Sequence, residues 1–342
     1  MGLEERRSTP RSTVLDVKGF ASADVRHEVE AAEGRIRPHV VETPLEPSPR
    51  LSRDTGAEVL LKMENLQVTR SFKARGAFNA LLGLDDAERA KGVVTASSGN
   101  HAMAMAHVMA LLGIEGEIWL PDEASPAKIE ALRRRGANLH LTGGDPELSA
   151  REQADRTGRV YVSPYNDPKV IGGQGTIALE LLRQAERLDG VFVPVGGGGL
   201  ISGIAGYLKE ASPETQVIGC QPARSPVMAE AVRVGELREF PWESSLSDGT
   251  VGGVELGSIT FPFCRDLVED WVLPTEDEIA AAIELVMSEH WVMVEGAAVL
   301  SVASFLKTAE RWRGKTVALV LSGSRISLDT LAEVLRRGHA AR

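Results

Sequence analysis

Cysteine is almost absent from this chain. There are two in 342 residues, Cys220 and Cys264. They share no metal or redox spacing, which excludes a disulfide framework and a cysteine-built cluster. They read as buried thiols in a reducing compartment. Long apolar runs are missing too. The longest candidate, residues 102–114, is interrupted by His107. It reads as a buried core helix, and no membrane-spanning helix is expected. The N-terminal segment mixes Glu4 and Glu5 with Arg6, Arg7 and Arg11 around no apolar core. It therefore lacks a secretory signal, and a cytoplasmic protein is expected. Excess positive charge is also lacking. Lys and Arg total 38 against 48 Asp and Glu, a net charge of −10, which counts against a nucleic-acid-binding surface. The glycine run 196–199 is not followed by the Lys-Ser/Thr of a P-loop. Ile201 stands where a dinucleotide fingerprint has its third glycine. Both gaps weaken a nucleotide-dependent oxidoreductase.

What is present is an α/β pattern. The length allows about two domains with a sizeable core. Strands are expected at 57–62, 93–96, 117–120, 138–142, 159–162, 191–195, 216–220, 270–273 and 316–321. Between them fall helical periods at 24–37, after Lys73, from Ala102, at 126–135, 146–156, 176–188, from Ser202, at 226–234, 276–289, 297–312 and 328–337. Residues 235–262 read as irregular. Strands alternating with helices imply parallel sheets covered on both faces. Three polar or glycine-rich loops follow strand ends, at 97–101, 196–199 and 322–324. In such sheets ligands sit beyond the carboxyl ends of the strands, so these loops are expected to wall one cleft.

The chemistry centres on residues 69–82. Lys73 opens a helical pattern in which Ala77, Phe78, Leu81 and Leu82 recur on one face, with Phe72 and Ala74 as neighbours. An amine held against apolar groups loses hydration and is pushed toward its neutral form. A neutral amine attacks aldehydes. The plain alternative is one more solvated helix lysine. Gly196, Gly197, Gly198 and Gly199 lie between an apolar strand and a helix. They let several backbone N–H groups converge on an anion such as a phosphate monoester, though a flexible turn has the same composition. Ser97, Ser98, Gly99, Asn100 and His101 occupy an equivalent strand–loop–helix position and suit a carboxylate. Helix capping explains the same residues, and His101 alone reads as a structural histidine. Ser322 ends the last strand. A hydroxyl there can bond a heteroaromatic nitrogen without holding the ring protonated, which suits elimination over transamination.

Taken together these stretches resemble the serine/threonine dehydratase group of fold type II pyridoxal phosphate (PLP) enzymes. Ser71-Phe72-Lys73-Ala74-Arg75-Gly76-Ala77 is similar to that family's lysine motif. Residues 97–101 resemble its substrate loop, and 196–200 its phosphate loop. Gly173-Gln174-Gly175-Thr176 and Glu295 also fall where the family has such residues. The resemblance spans roughly residues 30 to 335. It implies a tryptophan synthase β-like fold with a large domain, 1–91 and 166–342, and a small inserted domain, 92–165. The resemblance further implies that the cofactor lies in the cleft between them and that the protein is a homodimer. It implies that Lys73 forms a Schiff base with PLP beside Phe72. Gly196, Gly197, Gly198, Gly199 and Leu200 bind its phosphate, Asn100 its ring hydroxyl, and Ser322 faces its ring nitrogen. Ser97, Ser98, Gly99, Asn100 and His101 receive an amino-acid substrate, with Ser98 on the ring face opposite Lys73. The implied reaction is α,β-elimination of a β-hydroxy-L-amino acid to a 2-oxo acid and ammonia. Lys73 removes the α-proton.

Some positions depart from the family pattern. Where some members place an acid for a divalent ion, this chain has Gln221, with no Asp following. A hard cation needs anionic oxygens, so no metal is expected. Ser163-Pro164-Tyr165-Asn166, Glu295-Gly296 and Ser324-Arg325 also differ. They point away from plain threonine deamination, toward branches acting on phenylserine or in hydroxyectoine breakdown. No regulatory domain is expected after residue 342. Racemisation on the same scaffold, with Ser98 returning a proton, is one alternative. A non-catalytic ligand-binding protein is another.

Overall fold

The computed structural model describes residues 20–340, with no side chains described beyond Arg337. The charged N-terminal segment read above for a targeting signal lies outside the described residues. The chain opens with α1 (Ser22–Ile36), β1 (Leu45–Pro47), α2 (Pro49–Thr55), β2 (Glu58–Lys62), α3 (Lys73–Leu82) and α4 (Asp86–Lys91). It then builds β3 (Val93–Ala96), α5 (Asn100–Leu112), β4 (Gly116–Pro121), α6 (Pro126–Arg133), β5 (Asn138–Thr142), α7 (Pro146–Thr157) and β6 (Val160–Tyr161). From α8 (Pro168–Gln184) it runs through β7 (Gly190–Pro194), α9 (Gly199–Ala211), β8 (Gln216–Cys220), α10 (Val227–Val234), α11 (Thr260–Leu267) and β9 (Asp270–Val272). It closes with α12 (Glu276–His290), α13 (Gly296–Lys307), β10 (Thr316–Val320) and α14 (Leu328–Ala340).

Two sheets result. One has the order β1-β2-β10-β7-β8-β9, and the other β5-β4-β3-β6. All pairings are parallel except β1 with β2. The central strands β7 and β10 are buried along their whole length. That is why Val191-Phe192-Val193 and Val317-Ala318-Leu319-Val320 read as continuous apolar runs instead of alternating. One core fills the face of the larger sheet against α12 and α13, with Phe192, Phe305 and Trp312 meeting edge-on. A second fills the opposite face against α1, α8 and α9. A third packs α3 and α5 over the smaller sheet. Both cysteines are buried and free, and burial pushes each thiol up to about 12.

Five helices differ from expectation. Helix α8 begins at Pro168, not Thr176. Asp167 caps it by accepting from the Lys169 and Val170 N–H groups. Gly172, Gly173 and Gly175 disfavour a helix, but here they bring three helices together. A Cβ at Gly173 would stand 2.6 Å from the Arg75 carbonyl oxygen, and one at Gly175 would stand 2.8 Å from that of Gly203. Close packing against α3 and α9 outweighs propensity. Helix α11 lies partly within the stretch read as irregular, because its buried Thr260, Phe263 and Cys264 face the second core. The short helices α2 and α4 are absent from the sequence reading, being too brief to show a period. The expected helix over 297–312 ends at Lys307, and a 3-10 turn from Ala309 to Trp312 follows.

Candidate active site

Lys73 is the first residue of α3, and the turn before it is tied to the end of β10. Ser71 bridges Gly323, and the Phe72 N–H donates to the Ser322 carbonyl at 3.1 Å. Two residues on, the fully buried Arg75 anchors the helix from below. Its guanidinium donates to Glu64 at 2.7 and 2.9 Å and to Glu180 at 2.7 and 2.8 Å. Lys62, also fully buried, reaches Glu180 at 2.5 Å and the Thr43 carbonyl at 2.8 Å. Burial alone would raise the Glu180 carboxyl, but Arg75 and Lys62 outweigh it and hold the group at about 2. The cluster clamps α3 to β2 and α8 and leaves Lys73 turned the other way. The Lys73 amine donates to the Pro164 carbonyl at 2.6 Å, with the Phe72 ring centroid 5.1 Å off. Burial lowers the amine to about 8, and the charge of Glu147 opposes that shift.

The cavity around this amine measures about 550 Å³. Each residue expected to touch cofactor or substrate lines it: Phe72, Lys73, Ser97, Ser98, Gly99, Asn100, His101, Gly196, Gly197, Gly198, Gly199, Leu200 and Ser322; residues 173–176 lie within α8 and do not. They arrive from the carboxyl ends of β3, β7 and β10 and from the start of α3, the position open α/β sheets give to ligands.

Two helix N-termini face this space. Helix α9 starts at Gly199 behind Gly198, whose φ of 89° and missing side chain leave the first N–H groups without a side-chain cap. The cradle has no room for larger residues. A Cβ at Gly197 would stand 2.5 Å from the Tyr165 ring, one at Gly198 2.9 Å from Thr260, and one at Gly199 2.9 Å from the Tyr165 Cα. Helix α5 starts at Asn100 behind Gly99, again without a side-chain cap. The Asn100 amide donates to Glu295 at 2.8 Å, while its own oxygen Oδ1 is buried without a partner. The other Glu295 oxygen accepts the Arg325 N–H at 2.9 Å. Burial raises the Glu295 carboxyl to about 7 against those two bonds. His101 is buried, and its Nε2 sits 3.0 Å from the Thr95 hydroxyl. Burial, reinforced by the Lys73 charge, lowers it to about 3 and keeps the ring neutral. Ser322 is buried at the end of β10.

This donor set fits pyridoxal phosphate. An uncapped glycine cradle suits a phosphate monoester, a partly neutral amine suits an aldehyde, and the orphaned Asn100 Oδ1 suits a ring hydroxyl. Gln221 is tied down, its Oε1 accepting the Ala229 N–H at 2.8 Å. Among the described residues no three His, Cys, Asp or Glu gather as a metal site. None of the described helices is long and apolar enough to cross a membrane.

Sequence reasoning passed over one wall of the cavity. Glu147, in the first turn of α7, lines it beside Pro164 and Tyr165. In sequence it looks like any acid complementing a helix N-terminus, so no local signal distinguishes it. At the outer rim Lys128 of α6 pairs with Asp248 at 3.1 Å, spanning the two sheets' loops.

Residues 36–323 match the family described as "Pyridoxal-phosphate dependent enzyme". The chain is 38% identical over 314 residues to an L-threonine ammonia-lyase of Thermotoga maritima, covering 91% of this chain and 78% of that one. It is also 38% identical over 306 residues to a beta-hydroxyaspartate dehydratase of Paracoccus denitrificans, covering 88% and 96%. The crystal structure of serine racemase from Dictyostelium discoideum superposes with a TM-score of 0.83 at 32% identity, covering 88% of this chain and 98% of that one.

Proposed function

The chain belongs to the pyridoxal-phosphate dependent enzyme family, and from that premise we propose that it is an ammonia-lyase converting a β-hydroxy-L-amino acid to a 2-oxo acid and ammonia. One observation carries the reading: a single cavity sets the Lys73 amine between two side-chain-uncapped helix N-termini, with a serine, not a carboxylate, at the end of β10. The two relatives named above share a β-hydroxy amino acid as the substrate in their names.

When bound, pyridoxal phosphate supplies an electron sink for the substrate's α-carbon. The chain supplies the rest. Backbone N–H groups of Gly196, Gly197, Gly198, Gly199 and Leu200 would hold the phosphate. Asn100 Oδ1, oriented by Glu295, would hold the ring hydroxyl, and the Ser322 hydroxyl would serve the ring nitrogen. Ser97, Ser98, Gly99 and Asn100 fix the substrate carboxylate at the start of α5. Lys73 Nζ removes the α-proton. An amine at about 8 is neutral in roughly a tenth of molecules at pH 7, against well under a hundredth for an ordinary lysine. His101, held neutral, adds no charge beside the carboxylate.

The test is 2-oxo acid release from L-serine, L-threonine, threo-3-phenylserine and threo-3-hydroxyaspartate, with Lys73→Ala as control. Turnover of at least one substrate, abolished in the variant, is expected. A cofactor-loaded protein silent across the panel overturns dehydration of these four substrates. Racemisation is the second reading. Ser98 lines the same cavity, and no hydrogen bond claims its hydroxyl among the described residues. D-serine exceeding pyruvate as the product from L-serine would favour it.

A further inference from the structure

Two charged side chains line the cavity without a hydrogen bond or ion pair among the described residues, Glu147 and Arg325. They come from different elements, Glu147 from α7 and Arg325 from the segment after β10. Arg325 lies with Glu295, whose carboxylate its backbone N–H holds, and through Glu295 it borders Asn100 and the carboxylate-receiving loop. Glu147, at the head of α7, which packs on β3 and β4, lines the cavity with Pro164 and Tyr165. Its cationic neighbours are otherwise engaged. Arg151, one turn along α7, is bridged to Glu255 at 2.8 Å. Lys73 is the other, and it is the group that must react. Glu255 and Asp145 add further negative charge on this side. Glu147 is also the charge that acts on the Lys73 amine, whereas Arg325 is influenced by Arg135 and Glu295.

A partly buried carboxylate without a partner beside the reacting centre favours a substrate that brings one. We propose that Glu147 is a specificity-determining residue which selects β-hydroxy-α-amino acids whose side chain ends in a hydrogen-bond donor, a γ-ammonium above all, and rejects those bearing a second carboxylate. The inference rests on the ammonia-lyase reading for the words "β-hydroxy". It also separates this chain from its relative named for β-hydroxyaspartate. Arg325 then reinforces recognition of the α-carboxylate and does not receive a side-chain acid.

The test uses holoenzyme and three L-amino acids that lack the β-hydroxyl: 2,4-diaminobutanoate, 2-aminobutanoate and aspartate. Dissociation constants come from calorimetry and from the shift of the cofactor's visible absorption. Expected is an order of diaminobutanoate, aminobutanoate, aspartate, with about tenfold or more between first and last, the size of one charge attraction set against one charge repulsion. Glu147→Gln keeps the shape and removes the charge. It should shrink that gap to about threefold or less while the variant still takes up the cofactor. Aspartate binding tightest would assign a side-chain acid to Arg325 and overturn the proposal. An unchanged order in Glu147→Gln would overturn it as well. Because these ligands have no leaving group, the expected order in an enzyme that turns over no β-hydroxy amino acid would sink the ammonia-lyase reading and leave the role of Glu147 standing.

Discussion

Replacing Glu180 by Gln tests how firmly Lys73 is held. Glu180 has no solvent exposure and accepts from Lys62 and twice from Arg75, both equally buried, and it also pairs with Arg37 at 2.6 Å. Carrying its carboxyl from an ordinary 4.5 down to about 2 corresponds to about 3 kcal/mol of native-state preference for the charged form. Glutamine keeps the shape but removes the charge. Lys62 and Arg75 would then share Glu64 as the remaining fully buried carboxylate of the cluster. Breaking a buried pair by deleting one partner costs about 3–5 kcal/mol, because the partner's desolvation is no longer compensated. Urea unfolding followed by circular dichroism at pH 7 should show a loss of that size. The sign of the pH dependence is fixed as well. A carboxyl lowered on folding contributes in full above pH 4.5, and the contribution drains away as pH falls toward 2. The gap between wild type and Glu180→Gln should therefore narrow through that window. A loss below about 1 kcal/mol at pH 7 would put the cluster on a par with exposed ion pairs and refute its role as the clamp on α3.

Two further outcomes follow from the site. Gly199→Ala sets a Cβ 2.9 Å from the Tyr165 Cα and 3.0 Å from its carbonyl oxygen, backbone atoms that cannot swing aside. Titration of apoprotein with pyridoxal phosphate should show affinity weakened about tenfold or more, and unchanged affinity would refute the tight cradle. The Lys73 amine, lowered to about 8 by burial, should react with the cofactor aldehyde at a rate that rises with pH and levels off near pH 8. An ordinary lysine would keep rising past pH 10. A stopped-flow series in which the rate climbs without a plateau would refute the lowered amine.

Most of the alternation between strand and helix was legible because each element carries its own period. Strands β5 and β8 fall where the strand patterns at 138–142 and 216–220 placed them. The strand-end loops were legible for the same reason: glycines and small polar residues between an apolar run and a helix have few other uses. The first half of α8 was not. Its glycines argue against a helix locally, and only their close approach to Arg75 and Gly203 shows why they are there.

The sequence by itself determined the α/β alternation, the lysine at the head of a helix and the three glycine-containing strand-end loops, because these rest on neighbours a few residues apart. The tertiary structure decided which residues meet. Glu64 and Glu180 stand 116 residues apart in the chain and grip one guanidinium. Asn100 is oriented by Glu295 across 195 positions. Glu147 reaches the cavity only because α7 packs on β3 and β4. Charge and hydrogen-bonding partners act over a few ångströms of space, and no spacing along the chain encodes which distant side chain will fill it.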